Sequence, residues 1–183
     1  LFKAIDIAHA AGVTIVLNPA PAKEIPDEVL AKVDIVTPNE TEAQQLTGVK
    51  VETVEDAKRA AATFLHKGVK NVVITLGAMG AFASDGKTSV LEPRLRVNAV
   101  DTTGAGDAFN GGFVMALAEG KDLFTALRCG RLRALDAPWG VLAAVCGAAV
   151  AVLAASGFAL RAEAFLHWQT AYAALEAAAA YLW

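Results

Sequence analysis

Short apolar runs alternate with longer stretches of helical periodicity through the first 130 residues, the pattern of a mostly parallel sheet flanked by helices. Leu1 to Ala11 reads as a helix with Leu1, Ile5 and Ala8 on one face. Val13 to Leu17 is a buried-strand run, followed by the Pro-rich loop Asn18-Pro19-Ala20-Pro21. Pro26-Asp27 opens a short helix, and Val33 to Val36 is the next strand. Pro38 then bars a helical continuation, and Asn39 can cap a helix through Leu46. Thr53 begins a capping box with Asp56 and a helix to about His66, after which Asn71 to Leu76 forms a third strand. Gly80 to Ser84 and Thr88 to Leu91 flank Asp85-Gly86, a two-residue hairpin signal. Leu95 to Val100 is strand-like, Ala108 to about Ala118 is an apolar helix ended by Gly120, and Asp122 can cap another helix toward Cys129.

The pattern breaks near residue 130. All three Trp (139, 168, 183) and both Tyr (172, 181) follow that point, whereas the last Lys is Lys121 and the last Ile is Ile74. Alanine supplies 19 of the 53 residues from Arg131 to Trp183. The expected organisation is an α/β part over 1–130 and a divergent, Ala-rich helical tail over 131–183, since Ala162 to Leu182 is full of strong helix formers.

Charge narrows the choice of partners. Sixteen basic residues against nineteen acidic ones give a net charge of −3, with no Lys/Arg cluster among aromatics, so nucleic acid is not an expected partner. Cys129 and Cys146 have neither the number nor the spacing of a disulfide framework or zinc site, and suit a reducing cytosol. His9, His66 and His167 have no partners that suggest catalysis and are expected as partly exposed helix residues. No charged leader followed by an apolar core opens the chain, so no secretory signal is expected, and the helical reading from Leu1 onward suggests a start in the middle of a fold.

Candidate chemistry lies in Asp101-Thr102-Thr103-Gly104-Ala105-Gly106-Asp107, between the strand-like run and the apolar helix. Gly104 and Gly106 have no side chain to keep an anion from the backbone, and the unpaired N–H groups of a helix's first turn point at such an anion. That cradle suits a phosphate whose charge grows during transfer, and Asp107 beside it can accept a proton from an attacking hydroxyl. The alternative from spacing alone is a tight glycine turn in which Asp107 offsets the helix dipole.

The run from Asp101 to Gly112, Asp-Thr-Thr-Gly-Ala-Gly-Asp-Ala-Phe-Asn-Gly-Gly, resembles the C-terminal signature of the ribokinase family, the PfkB carbohydrate kinases. Leu17-Asn18-Pro19-Ala20-Pro21-Ala22 and Thr37-Pro38-Asn39-Glu40-Thr41-Glu42-Ala43 are similar to segments of bacterial ribokinases in the same order. The resemblance covers residues 1 to about 130, the C-terminal half to two-thirds of such an enzyme, and implies a ribokinase-like, Rossmann-like core truncated at the N-terminus. It implies Asp107 as catalytic base for a sugar's primary hydroxyl and Gly104-Ala105-Gly106 as anion hole. Asn39 and Glu42 match an Asn-x-x-Glu motif in which Glu organises magnesium, mainly through water, and Asn lies near the phosphates. Residues three apart share a helix face, and magnesium prefers carboxylate oxygen with several retained waters. Helix capping by Asn39 with a solvated Glu42 is the alternative. Thr75 and Gly77 match strand-end contacts to the nucleotide, and Asp101 with Thr103 matches part of a monovalent-cation site, usually potassium.

The implied activity is transfer of the ATP γ-phosphate to D-ribose in the cytoplasm, with ATP and Mg2+ as cofactors and K+ as activator. The family's N-terminal part, with most sugar-binding residues and the β-sheet lid of the dimer contact, has no counterpart here. Little or no activity of this chain alone is therefore expected, and no family-type dimer. The remaining cation ligands and the adenine-pocket loop would also fall where the chain departs from the family. The alternatives are a non-catalytic nucleotide-binding remnant or a membrane-tethered domain. The tether would be 137–160, 24 residues without a charge, preceded by Arg128, Arg131 and Arg133 and followed by Arg161. Ten of those residues are Ala or Pro, which favour insertion feebly, so a soluble helix stands beside the membrane reading. A shifted reading frame or a gene fusion would also account for the abrupt change of composition.

Overall fold

The computed structural model describes residues 1–94, 105–136 and 150–153. Residues Leu1–Leu153 form one compact unit, and Ala154–Trp183, a second unit, lies outside the described residues. The elements run α1 (Phe2–Ala10), β1 (Thr14–Leu17), α2 (Asp27–Leu30), β2 (Ile35–Val36), α3 (Glu40–Thr47), α4 (Val54–His66) and β3 (Asn71–Thr75). A single 3₁₀ turn (Gly77–Met79) leads to β4 (Ala81–Ser84) and β5 (Ser89–Glu92), followed by α5 (Ala105–Ala118), α6 (Leu123–Asp136) and β6 (Val150–Leu153).

The strands form one sheet in the order β5-β4-β3-β2-β1-β6. Its heart is the parallel trio β1-β2-β3, with Val16 opposite Ile35 and Ile35 opposite Asn71, as expected of strands joined through helices. An antiparallel meander, β3-β4-β5, extends one side. The hairpin between β4 and β5 has a four-residue loop, where the Asp85-Gly86 signal alone suggests two. Ser84 pairs with Ser89, and the Asp85 carboxylate accepts the N–H groups of Lys87 (2.8 Å) and Thr88 (2.6 Å), drawing both residues into the turn.

Strand alternation divides the core between the two faces of the sheet. Ile15, Leu17, Val36, Val72, Ile74 and Phe82 point to the side covered by α1 to α4. Val16, Ile35, Val73, Ala81 and Ala83 point to the other side, where Phe109, Phe113 and Ala116 of α5 meet Ala126 and Leu127 of α6. The helices have local causes. Helix α4 buries Ala57, Ala60, Ala61 and Phe64, a stripe at i, i+3, i+4 and i+7, and begins with the expected capping box of Thr53 and Asp56. Helix α5 starts at Ala105, three residues before the predicted Ala108, so Ala105, Gly106 and Asp107 belong to its first turn. It ends near Gly120, whose φ of 78° is the left-handed conformation that glycine adopts without strain. Asp122 caps α6 by accepting the N–H groups of Phe124 and Thr125, both at 3.0 Å, and α6 continues across residue 130 without interruption.

Two expectations for the tail change. Both the membrane and the soluble reading of 137–160 took that run as a helix, yet Val150–Leu153 is a strand, antiparallel to β1 with Thr14 opposite Leu153 and Leu17 opposite Val150. An open edge of β1 offers unpaired N–H and C=O groups, and four residues that include β-branched Val150 and Val152 satisfy them. Arg128 and Arg131, read as flanks of a span, instead meet Glu92 of β5, with Arg128 Nε 2.6 Å from its carboxylate. No helix among the described residues is long and apolar enough to cross a membrane. Residues 137–149 and 154–160 lie outside that description. His9 and His66 are exposed helix residues as expected, and His167 and Cys146 fall outside the described residues.

Candidate functional site

The chain leaves β2 through Thr37, buried with its N–H donating to the Leu17 carbonyl at 2.9 Å. Pro38 follows and disfavours the α conformation in Thr37, so the first N–H groups of the next helix need a side-chain acceptor. Asn39 provides it from extended backbone (φ −85°, ψ −178°): its Oδ1 accepts the Glu42 N–H at 2.9 Å, while Glu42 Oε2 accepts the Asn39 N–H at 2.9 Å. Asn39 thus caps the helix as the alternative expects, but Glu42 is not simply solvated: both side chains are half-buried parts of a reciprocal box.

The end of β3 is joined to this corner. Thr75 donates its N–H to the Pro38 carbonyl at 3.0 Å, and Asn39 and Thr75 form an isolated parallel bridge beyond the named strands. Gly77, two residues on, has φ 45°, and a Cβ there would stand 3.2 Å from Glu40 Oε1. Asn39, Glu42, Thr75 and Gly77 are thus gathered at the carboxyl ends of two adjacent parallel strands, the place where open α/β sheets bind ligands. Asn18 follows β1 at the corresponding end of the next strand and is half-buried.

A second group lies on the opposite face of the sheet from α3, at the start of α5. Ala105, Gly106 and Asp107 form its first turn, where N–H groups lack intrahelical acceptors and the helix dipole favours negative charge. Gly106 is exposed, and a Cβ added to it would meet nothing within 4 Å, so the backbone there is open to an approaching anion. Asp107 is half-buried. Asp101, Thr103 and Gly104 lie outside the described residues, as does the Leu95 to Val100 run.

The described residues are compatible with the nucleotide and phosphate that the resemblance implies, and the cation-site residues Asp101 and Thr103 lie outside them. Open backbone at Gly106 suits phosphate, which needs close approach to the main chain, whereas at Gly77 the space a Cβ would take is bordered by Glu40 Oε1. Among the described residues no group of three or more His, Cys, Asp or Glu gathers as a metal site. Magnesium would accordingly rest on Glu42 through water and on nucleotide phosphates, in keeping with its preference for retained waters. Asn110 is one residue that sequence reasoning passed over. It stands one helical turn beyond Asp107, and its Oδ1 is buried with no hydrogen-bond partner among the described residues. The i to i+3 spacing from Asp107 was the available signal.

Comparison with known proteins bears on the family. Residues 1–134 match the pfkB family carbohydrate kinase. The chain belongs to that family. It is 52% identical over 132 residues to the ribokinase of Haemophilus influenzae, an overlap of 72% of this chain and 43% of that protein. With the ribokinase of Staphylococcus aureus it shares 48% over 122 residues, 67% of this chain and 40% of the relative. The structure of Arabidopsis thaliana ribokinase complexed with ribose and ATP is similar with a TM-score of 0.66 and 37% identity, covering 71% of this chain and 44% of that one. The chain thus spans under half the length of these relatives, less than the half to two-thirds expected from its motifs.

Proposed function

We propose that this chain carries the nucleotide-binding and phosphoryl-transfer half of an ATP-dependent sugar kinase that acts on the primary hydroxyl of D-ribose. The observation that supports it most is the corner at which Thr75 and Asn39 meet, since it sets two family-matched nucleotide positions at the carboxyl ends of adjacent strands.

In this reading Asp107 takes the proton of the sugar hydroxyl as its oxygen attacks the γ-phosphorus, the bond to the β–γ bridging oxygen breaks, and ADP leaves. Gly104, Ala105 and Gly106 serve as the anion hole for the transferring group, and the Ala105 and Gly106 N–H groups in the first turn of α5 are donors in place before the charge develops. Asn39, Thr75 and Gly77 hold the nucleotide. Glu42 orders magnesium through water, and magnesium, when bound, supplies charge neutralisation for the ATP phosphates. Asp101 and Thr103 belong to a potassium site that favours the same anion hole. The setting is cytoplasmic.

Because the chain matches only about two-fifths of each relative's length, we propose that alone it binds nucleotide and turns over sugar little or not at all. A base without a positioned hydroxyl gains nothing from proximity. Two measurements on the 183-residue chain test this. Millimolar Mg-ATP should raise its unfolding temperature, by mass action on the folded state, and no rise at that concentration removes the nucleotide site. Ribose phosphorylation should stay near background, and turnover at the rate of an intact kinase overturns the proposed inactivity while supporting the activity itself.

A further inference from the structure

Helix α6 touches the chain on both sides of the Gly-rich segment without belonging to it. On the upstream side, Glu92 ends β5 and is a buried carboxylate, 8% exposed. Arg128 Nε donates to its Oε1 at 2.6 Å, Arg131 Nη2 lies 3.5 Å from its Oε2, and Arg131 Nη1 donates to the Pro93 carbonyl at 2.5 Å. On the downstream side, Gly130 sits between those two arginines in sequence. A Cβ at Gly130 would stand 2.8 Å from the Phe109 carbonyl oxygen, 3.0 Å from Phe113 Cβ and 3.2 Å from Phe109 Cδ2. The two helices therefore meet backbone to backbone two residues beyond Asp107.

Helix propensity does not account for Gly130, nor the strength of an ion pair for Glu92 and Arg128. Glycine inside a helix weakens it relative to alanine, so its use here points to the close approach. The Glu92 carboxylate is buried but the Arg128 side chain is 57% exposed, so water screens their attraction and the pair is weak evidence for stabilisation. Its best-attested use is to set the register of one element on another. Here the register is that of α6 along the end of β5, and α6 in turn seats α5.

We propose that α6 is the positioning element for Asp107, with Arg128 and Gly130 as positioning residues: the arginine ties α6 to the end of β5, upstream of the Gly-rich segment, and the glycine ties it to α5, the helix that carries Asp107. The role assigned to Asp107 rests on the kinase reading, whereas the mechanical link between the helices does not.

The test uses the 183-residue chain, with Arg128→Met, which keeps an apolar stem, and Gly130→Ala, which by itself favours helix. Backbone hydrogen exchange is followed at residues 109–113 of α5, with 58–66 of α4 as internal reference. The ATP concentration giving half-maximal thermal stabilisation is measured alongside. Each variant should speed exchange at 109–113 by about tenfold while the α4 amides stay within about twofold of the parent, the signature of sub-global opening. If the parent is stabilised by ATP, both variants should also raise the half-maximal concentration severalfold, because a shift of the start of α5 moves the Ala105 and Gly106 N–H groups together with Asp107. Equal acceleration in α4 and α5 means general destabilisation and overturns the proposal, as does unchanged exchange in α5. A parent that ATP fails to stabilise sinks the kinase reading alone, leaving the exchange result to decide the link. Should Gly130→Ala fail to fold, Arg128→Met decides by the same criteria.

Discussion

Asn39 and Thr75 come from different strand ends, 36 positions apart in sequence, and stand as parallel bridge partners, fastened by the 3.0 Å hydrogen bond from the Thr75 N–H to the Pro38 carbonyl. The same Asn39 caps α3, so its two duties can be separated by substitution. Asn39→Asp keeps an equally good cap oxygen, and its unfolding temperature should stay near the parent's. The added negative charge should nevertheless raise the ATP concentration needed for half-maximal stabilisation. Asn39→Ala should lose the cap, costing about 0.5–2 kcal/mol in denaturant unfolding. An Asn39→Asp variant that binds Mg-ATP as tightly as the parent would remove Asn39 from the nucleotide site.

Gly77 combines a φ of 45° with a carboxylate oxygen 3.2 Å from where a Cβ would lie. Gly77→Ala should therefore cost on the order of 1 kcal/mol of stability from the left-handed backbone, with a further displacement of Glu40. Chemical unfolding measures the cost, and a neutral or stabilising result would show that the turn adapts freely.

Asp107 stands in the first turn of α5, where its charge complements the helix dipole. Asp107→Asn should reduce stability by about 0.3–1 kcal/mol. ATP-induced stabilisation should be unchanged or appear at lower ATP, because a carboxylate is removed from beside the phosphates. Weaker ATP binding in the variant would contradict the placement of the γ-phosphate near this residue.

Acid should weaken the capping box of α4. The Asp56 carboxyl is held down to about 2 by its hydrogen bonds to Arg59 and Thr53 and to backbone N–H groups at the helix start. Its unfolded value is about 3.9. A group depressed on folding contributes stability above its unfolded value and loses that contribution as pH falls toward the folded one. Thermal unfolding between pH 5 and pH 2 should thus fall more steeply in the parent than in Asp56→Asn, chiefly below pH 4. Parallel curves for the two proteins would place the acid sensitivity elsewhere.

The outer edge of β1 is paired with Val150–Leu153. Removing residues 137–183 leaves that edge open, and an open strand edge templates association. The shortened chain should form dimers or larger species at concentrations where the full chain does not, as read by light scattering after gel filtration. A monodisperse monomer would show that the edge is protected by other means.

Much of the local structure was legible because its causes are local. Thr53 with Asp56 and Asn39 with Glu42 begin helices through bonds that span three residues, so the start of each could be read from the chain. Gly120 stops α5 by its own conformational freedom. Strands β1 to β5 followed from apolar runs between turn residues, and the candidate phosphate-binding motif from a glycine pattern whose physical reason lies in the backbone. The hairpin loop was read too short because the Asp85 side chain, not the Asp-Gly pair alone, sets its length.

By itself, then, the amino-acid order determined the capped starts of α3 and α4, the stop of α5, the apolar runs that become β1 to β5, and which residue types suit phosphoryl transfer, since each depends on neighbours a few positions away. Only the tertiary structure decided that Thr75 meets Asn39, that Arg128 reaches Glu92 across 36 positions, that Gly130 lies against Phe109, and that four residues of the Ala-rich tail complete the sheet edge at β1. Those pairings depend on which faces and edges the assembled sheet leaves for each element. No local periodicity encodes them, because burial and edge pairing arise only after distant segments have packed.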